Sequence, residues 1–367
     1  MFGSRNSLLV KSGAAIFSGG KLFMWGVNSR GRLGLGDTTA RSSPTQVGAL
    51  TTWSAADTVG HTIAAKSTGE LWGWGGNYAG QLGLGNLTDI SSPVQIGSLT
   101  NWLTPKVAYR FTTCLKTDGT LWSWGFNGEG QLGLGDTTTR SSPVQVGSST
   151  NWNKLSAGNK FSLATESNGK LFAWGDNSSG QLGLGDTTNR SSPVQVGALT
   201  NWATPASGNN FSLCVKTDGT LWSWGYNTNG QLGQGNTTNY SSPVQVGSLT
   251  TWAIPECGIV FSLCTKTDGT LWSWGTGSDG RLGLGNTTNY SSPKQIGALT
   301  NWKTPAAGSG HSTCLKTDGT LWSWGSGASG KLGLGNTTDY SSPVQIGSLT
   351  TWAVPFAGNN NTGCIQT

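Results

Sequence analysis

A period of fifty residues is the feature that most constrains the fold of this chain. The ten-residue string KTDGTLWSWG occurs four times, beginning at Lys116, Lys216, Lys266 and Lys316. A Trp-Gly pair marks seven copies of the repeat, with tryptophans at Trp25, Trp74, Trp124, Trp174, Trp224, Trp274 and Trp324. The first interval is 49 residues and the other five are 50. Seven uses of one unit predict an architecture in which equivalent units pack against each other in chain order.

Each copy contains the signals of four short β-strands, called A to D in chain order. In the copy at 201–250, FSLCVKT (211–217) and TLWSW (220–224) flank Asp218-Gly219, a pair typical of tight hairpins. ATPAS before them and PVQVG after them predict two shorter strands, the last opened by a proline suited to a sheet edge. Strand C has large side chains on both faces, so each sheet must be covered on both sides. The sequence therefore predicts an all-β, seven-bladed β-propeller of four-stranded antiparallel blades.

The two ends of the repeat region fit together in register. When the copies are aligned, Thr367 takes the place of Ser18, so CIQT at the end continues into GGKLFMWG from residue 19. We therefore expect N- and C-terminal strands to pair in one shared blade, with strands A and B from 351–367 and strands C and D from 19–48. Residues 19–367 are predicted to form a single propeller, and residues 1–18 a non-repeated N-terminal extension. That extension is expected either to attach the protein to a larger assembly or to pack on the propeller.

Composition and charge exclude several classes of protein. Only 10% of the 367 residues are charged, whereas 58 are glycine and 19 are tryptophan, which favours a turn-rich β-fold over a disordered chain. The net charge of +6 is scattered along the chain, so nucleic acid is not expected as a partner. No apolar stretch approaches the roughly 18 residues of a membrane span, and we expect no signal peptide.

The sequence offers no constellation typical of an enzyme or a metal site. The two histidines, His61 and His311, belong to separate copies, and no Ser-His-Asp or Cys-His arrangement recurs. The loop GQLGLGDTT lacks the Lys-Ser/Thr ending of a phosphate-binding loop. Aspartate and asparagine interchange at the Asp37 column, which a charge-dependent metal site would resist. Five of the six cysteines share one column and are expected to be unpaired, buried side chains. We expect a non-enzymatic protein without metal or cofactor.

The copies differ mainly at one end of the predicted propeller. The A-to-B turns and C-to-D loops share this end, which we call the variable end. The B-to-C turns and D-to-A loops share the other, which we call the uniform end. Tyrosine and arginine are enriched at interface hot spots, so the variable end is predicted to bind a partner, although neutral variation of loops gives the same pattern. The predicted partner-binding residues are Arg41, Arg140, Arg190, Tyr240, Tyr290, Tyr340, Tyr109, Arg110, Phe126 and Tyr226.

Two further columns carry expectations of their own. A lysine column on the uniform end is expected to form a solvated rim and comprises Lys66, Lys116, Lys216, Lys266 and Lys316. A second tryptophan column is expected to seal the seams between blades, with stacking on sugars as the alternative. Its members are Trp53, Trp102, Trp152, Trp202, Trp252, Trp302 and Trp352.

The pattern AGxxHSxCLKTDGTLWSWGxxxxGxLGLG, from Ala307 to Gly335, resembles the regulator-of-chromosome-condensation repeat family. The resemblance covers residues 19–367 and implies a seven-bladed propeller. Members include chromatin-bound nucleotide exchange factors, secreted bacterial inhibitors of β-lactamase, and bacterial and phage proteins. Copies of nearly constant length leave no room for the wedge-like insertion of the exchange factors, so nucleotide exchange is not expected. Because its copies are nearly identical, the chain is more similar to the bacterial and phage members.

Together these observations predict a non-enzymatic protein-binding or scaffold propeller. Its expected role is that of a phage virion structural protein or a bacterial surface recognition protein, made in the cytoplasm and placed on a virion or cell surface. Its partner is then a protein or a surface macromolecule. One alternative is an intracellular chromatin- or GTPase-associated regulator, and a weaker one is a glycan-binding, lectin-like propeller.

Overall fold

The computed structural model describes residues 19–367, and the extension at residues 1–18 lies outside the described residues. The described part contains seven four-stranded antiparallel sheets in which strands A to D lie side by side in that order. The A strands of neighbouring sheets contact each other and surround a central channel. The predicted all-β, seven-bladed propeller is therefore confirmed.

The strands are numbered in chain order. The first fourteen are β1 (Lys21–Gly26), β2 (Arg41–Gln46), β3 (Trp53–Thr58), β4 (His61–Lys66), β5 (Leu71–Gly75), β6 (Ile90–Gln95), β7 (Trp102–Val107), β8 (Phe111–Lys116), β9 (Leu121–Gly125), β10 (Arg140–Gln145), β11 (Trp152–Ala157), β12 (Phe161–Glu166), β13 (Leu171–Gly175) and β14 (Arg190–Gln195). The others are β15 (Trp202–Ser207), β16 (Phe211–Lys216), β17 (Leu221–Gly225), β18 (Tyr240–Gln245), β19 (Trp252–Cys257), β20 (Phe261–Lys266), β21 (Leu271–Gly275), β22 (Tyr290–Gln295), β23 (Trp302–Ala307), β24 (His311–Lys316), β25 (Leu321–Gly325), β26 (Tyr340–Gln345), β27 (Trp352–Ala357) and β28 (Asn361–Gln366). Short 3-10 turns occupy Ser29–Gly31, Ser278–Gly280 and Ala328–Gly330.

Blades I to VI each take four consecutive strands, starting at β3, and blade VII is built from both ends of the described chain. Its strand order is β2-β1-β28-β27. Pairing between β1 and β28 runs without interruption from Lys21 opposite Gln366 to Gly26 opposite Asn361. The predicted closure by a shared blade is confirmed.

Strand D begins earlier than its sequence suggested. In blade IV it starts at Tyr240 instead of Pro243, and Tyr240 pairs with Gly225 at the end of strand C. The pairing shifts between Ser223 and Gly225, which accommodates the proline at the irregular part of this outer strand. The Arg41 column therefore opens the outer strands of the blades.

A repeated hydrogen bond fastens each blade to the next. Trp224 Nε1, on strand C of blade IV, donates to the carbonyl of Gln181 in blade III at 2.9 Å. Gly183 lets the indole approach, because a Cβ at that residue would lie 2.7 Å from Trp224 Nε1. The same bond joins Trp74 to Arg32, Trp124 to Gln81, Trp174 to Gln131, Trp274 to Gln231, Trp324 to Arg281 and Trp25 to Lys331. The recurring Trp-Gly pairs and Gly-rich loops are thus the two halves of one inter-blade contact.

The second tryptophan column lies at the seams between blades, where Trp202 of blade IV shares one hydrophobic cluster with Leu163 and Val196 of blade III. Trp202 is 3% exposed and its ring meets those of Trp222 and Trp224 edge-on, at centroid distances of 6.1 and 5.9 Å. The other members of the column are buried in the same way. Their burial confirms the packing role and leaves these rings no free face for sugars.

The predicted solvated lysine rim is wrong. Lys116 is only 4% exposed, and its Nζ lies 3.7 Å from the ring centroid of Trp122 and 4.4 Å from that of Trp102. Lys216, Lys266 and Lys316 lie between two tryptophans in the same way. Lys66 lies over Trp72 and pairs with Glu70 at 2.8 Å. The apolar stems and the cation–π contact make burial between the rings favourable.

The cysteine column follows the prediction. All six cysteines are free, and Cys114, Cys214, Cys264, Cys314 and Cys364 are buried. Burial raises the pKa of each of these thiols well above its usual range, so they stay protonated and behave as small apolar side chains.

Candidate partner-binding surface

Three of the predicted partner-binding residues meet at the variable end. Tyr109 and Arg110 form the turn after β7, and Phe126 follows β9. Together they line an open cavity of about 250 Å³, which Asn159 and Lys160 of blade III complete. Tyr109 is 44% exposed, so its ring is available to a partner.

A larger cavity, of about 420 Å³, adjoins the first and shares Tyr109 and Arg110 with it. Its other charged and aromatic side chains come from two C-to-D loops: Arg30 and Arg32 from blade VII, and Tyr78 from blade I. We call the joined surface the cationic groove and define it by Arg30, Arg32, Tyr78, Tyr109, Arg110, Phe126 and Lys160.

Cation–π contacts organise the middle of the groove. The Arg110 guanidinium lies 4.7 Å from the ring centroid of Tyr109 and 5.0 Å from that of Tyr78. Arg30 lies 5.0 Å from the ring of Tyr78, and Arg110 Nη2 donates to the Tyr109 hydroxyl at 3.3 Å. This hydrogen bond and the positive charge lower the pKa of the Tyr109 phenol. The rings and guanidinium groups hold each other in place before any partner arrives.

The groove has more positive than negative charge. Arg30 pairs with Asp89 at 2.8 Å, and Lys160 pairs with Glu129 at 3.3 Å. Arg32 instead donates to the carbonyls of Ser29 and Val59, and burial followed by the nearby charge of Arg30 lowers its pKa. Within residues 19–367, neither Arg32 nor Arg110 has a carboxylate partner. Two guanidinium charges are therefore uncompensated.

One shortened turn borders the groove. The A-to-B turn of blade I consists of Val59 and Gly60 only, whereas that of blade II has three residues, 108–110. This missing residue is the origin of the 49-residue interval, and both residues of the short turn line the larger cavity. Arg30 adopts a left-handed backbone conformation, with φ of 62°, an uncommon choice for a non-glycine residue.

Sequence reasoning missed Arg30, Arg32 and Tyr78. Each occupies a column that varies among the copies, but it stands far from Tyr109 along the chain. Only the order of blades around the ring brings these C-to-D loops beside the Tyr109 turn. The signals that could have found them were the location of the deleted residue and the uniqueness of Arg30 and Tyr78 within their columns.

The arginine and tyrosine columns have partners inside their own loops. Arg190 Nη2 lies 2.6 Å from Asp186 Oδ2, and the Tyr240 hydroxyl accepts a hydrogen bond from Asn236 Nδ2 at 3.0 Å. Arginine always accompanies aspartate, and tyrosine always accompanies asparagine. The six pairs are Asp37–Arg41, Asp136–Arg140, Asp186–Arg190, Asn236–Tyr240, Asn286–Tyr290 and Asn336–Tyr340. Their role in partner binding stays a prediction, as does that of half-buried Tyr226 in blade IV.

Charged side chains also line the channel below the variable end. Asp57, Lys106 and Glu256 border a cavity of about 150 Å³ to which all seven blades contribute. Burial raises the pKa of Glu256 to about 7, even though Lys106 opposes the shift. Burial alone would lower the pKa of Lys106, but Asp57 and Glu256 shift it upward overall. The positive charge of Lys106 thus interacts favourably with both carboxyl groups in the channel.

Residues 19–367 contain neither a metal-binding cluster nor a membrane-spanning helix. No cluster of three or more His, Cys, Asp and Glu side chains has the arrangement of a metal site. No helix in this part of the chain is long and apolar enough to cross a membrane.

Family models match most of the chain. Residues 110–364 match the RCC1-like domain, and residues 19–60 and 68–115 match the regulator of chromosome condensation (RCC1) repeat. Among curated proteins, Ras guanine nucleotide exchange factor C of Dictyostelium discoideum is 55% identical over 38 residues. That match covers 10% of this chain and 3% of the relative, so the chain spans only a small part of that protein's length.

Solved propellers superpose on nearly the whole described chain. Human WBSCR16 gives a TM-score of 0.85 at 20% identity and covers 95% of this chain and 98% of that one. Prp20p of Saccharomyces cerevisiae, described with its binding properties to Gsp1p and histones, gives 0.82 at 21% identity, covering 96% and 92%. Yeast RCC1 (Prp20) bound to Kap60 gives 0.81 at 21% identity, covering 100% and 96%. At these identities the likeness concerns the fold.

Proposed function

The chain belongs to the RCC1 repeat family, and from that premise we propose that it is a non-enzymatic propeller that binds a protein partner at its variable end. The observation that carries the proposal is the cationic groove. It combines exposed tyrosines with guanidinium groups that lack a carboxylate partner, and these are the residue types that dominate binding energy at interfaces.

The structure supports binding over catalysis because its histidines are engaged in packing. His61 Nε2 lies 2.8 Å from the hydroxyl of Thr112 in the next blade, and His311 makes the same contact with Thr362. Both side chains are fully buried. Among the described residues that line the groove there is no histidine, cysteine or free carboxylate that could act as nucleophile or base.

For the class of partner, the comparisons support an intracellular chromatin- or GTPase-associated regulator better than a virion or surface role. The similar yeast propeller Prp20p is described with binding to Gsp1p and to histones. We extend this partner class to the present chain as a proposal. Nucleotide exchange is not included, because the turns and loops of the variable end have nearly equal lengths in every blade.

The test is equilibrium binding of the purified full chain to Gsp1p and, separately, to histones. We expect saturable binding to one of them. We also expect weaker binding by the double variant Arg30→Ser, Arg110→Asn, whose new residues already stand in other copies as Ser329 and Asn360. Absence of binding to both proteins would refute the partner class, and accelerated nucleotide release from Gsp1p would refute the binding-only role.

A further inference from the structure

We infer that the cationic groove receives an extended acidic peptide segment of the partner. This inference rests on the proposed function, because it names the chemistry of the partner at the same surface. It follows from the shape of the groove, from its charge and from the charge around it.

The shape of the groove suits an extended chain. The two cavities, of about 420 and 250 Å³, share Tyr109 and Arg110, so the surface continues from Arg30 in blade VII to Lys160 in blade III. The channel mouth opens into the same surface at Tyr109 and Asn159. An extended segment presents successive side chains on opposite faces, so alternate residues can enter successive cavities.

Carboxylates fit the donors that the groove offers. Arg110 keeps guanidinium N–H groups beyond its single bond to Tyr109, and the flanking Tyr78 and Tyr109 are both exposed. A guanidinium binds a carboxylate through two parallel hydrogen bonds, and neighbouring rings shield such a pair from water. The amide side chains of Asn359 and Asn360 border the same cavity and supply neutral hydrogen-bond donors.

Charge elsewhere on the variable end favours a peptide over a nucleic acid. Arg41, Arg140 and Arg190 each lie within 2.5 or 2.6 Å of an aspartate oxygen, and Arg281 pairs with Asp279 at 2.6 Å. The arginines of this end that lie outside the groove are therefore compensated, and Lys331 beside them is buried. Nucleic acids gain affinity from many phosphate contacts along an extended basic surface, which this end does not provide.

The experiment measures fluorescence anisotropy with three labelled probes at fixed ionic strength: a twelve-residue Glu-Gly repeat peptide, the matching Gln-Gly peptide and a twelve-nucleotide oligo-dT. With the full chain, we expect binding of the Glu-Gly peptide alone, weakened by added salt. Equal binding of the Gln-Gly peptide, or no binding of the Glu-Gly peptide, would overturn the inference. Tighter binding of oligo-dT would assign the groove to nucleic acid and overturn it as well.

A pair of variants locates the binding. Arg30→Ser with Arg110→Asn should weaken Glu-Gly binding by at least about tenfold, because it removes charge-assisted hydrogen bonds. The control is Arg281→Gln with Lys294→Val, which removes the same number of charges from blade V and installs residues present in other copies. It should stay within about twofold of the unmodified chain. Equal losses in the two variants would mean attraction to net charge and would contradict the inference.

Parallel titrations with Gsp1p and histones separate the two proposals. If one of these proteins binds and the Glu-Gly peptide does not, the proposed function stands and the acidic segment is wrong. If the peptide binds in the groove and neither protein does, the acidic segment stands and the partner class is wrong.

Discussion

At the scale of single residues, we expect two buried histidines to make the propeller sensitive to acid. The Thr112 hydroxyl donates to the carbonyl of Gln81, so it accepts the proton on His61 Nε2, and His61 Nδ1 has no hydrogen-bond partner among the described residues. His311 has the same arrangement with Thr362 and Lys331. Burial, followed by nearby positive charges, lowers the pKa of each histidine to about 3.

We predict that replacing the His61–Thr112 pair by the pair found at another seam removes part of the acid lability. Between pH 6.5 and about 3 the unfolded chain binds protons that the folded chain does not. Each histidine therefore lowers the free energy of unfolding by about 1.4 kcal/mol for every unit by which the pH decreases in this range. His61→Phe with Thr112→Ser copies the Phe161–Ser212 seam. Denaturant unfolding at pH 7 and pH 4 should show a smaller loss for the variant. An unchanged pH dependence would show that His61 does not contribute to the acid lability.

A second prediction concerns the glycine that receives the inter-blade tryptophan. Gly183→Ala places a Cβ against Trp224 and strains a residue with φ of 73°, whereas Gly197, with φ of 61°, has no atom within 4 Å of the added Cβ. Gly197→Ala is therefore the control for backbone strain alone. We expect Gly183→Ala to cost about 1–3 kcal/mol more than the control in the free energy of unfolding, measured in denaturant. Equal costs would show that the tryptophan contact adds nothing.

At the scale of one structural element, six of the C-to-D loops are stabilised by one of two kinds of side-chain pair, Asp–Arg or Asn–Tyr. Backbone N–H of Thr188 and the Arg190 guanidinium hold the pKa of Asp186 below its usual range. In blade IV, the side-chain oxygen of Asn236 accepts from the equivalent Thr238 N–H, and its amide donates to Tyr240. The loop thus keeps its backbone hydrogen bond while the second partner changes.

We predict that an Asp–Arg pair can be replaced by an Asn–Tyr pair in the same loop. Asp186→Asn with Arg190→Tyr should leave the free energy of unfolding within about 0.5 kcal/mol of the unmodified chain, because each loop keeps a complete pair. Arg190→Tyr alone should be less stable than the double variant, since it removes the cation beside the Asp186 carboxylate. Thermal unfolding of the two variants tests this. A double variant as unstable as the single one would show that the pairs do not act as units.

Sequence patterns predicted these elements well where one strand decides the outcome. The Asp-Gly hairpins, strand C and the cysteine column follow from local residues. The solvated lysine rim was wrong because the environment of Lys116 depends on two tryptophans, Trp102 and Trp122, that only strand pairing brings over it. The earlier start of strand D was missed because Tyr240 pairs with Gly225 across an irregular stretch of the sheet.

At the scale of the whole molecule, the repeat period predicted the closed ring, whereas variation among the copies predicted only part of the cationic groove. A fixed period decides how Thr367 meets residue 19, and the pairing of β1 with β28 agrees. Tyr109, Arg110 and Phe126 were found because they vary among the copies. Arg30, Arg32 and Tyr78 were not, because their proximity to Tyr109 depends on the arrangement of three blades around the axis.

A partner that binds the variable end should cover the cationic groove. Hydrogen exchange of the full chain, alone and saturated with whichever of Gsp1p or histones binds, tests this claim directly. We predict slower exchange in the A-to-B turns of blades I and II, at 58–61 and 107–111, and in the C-to-D loop at 76–81. The B-to-C turns at 117–120 and 217–220, on the uniform end, should be unaffected. Protection confined to those B-to-C turns would contradict the claim.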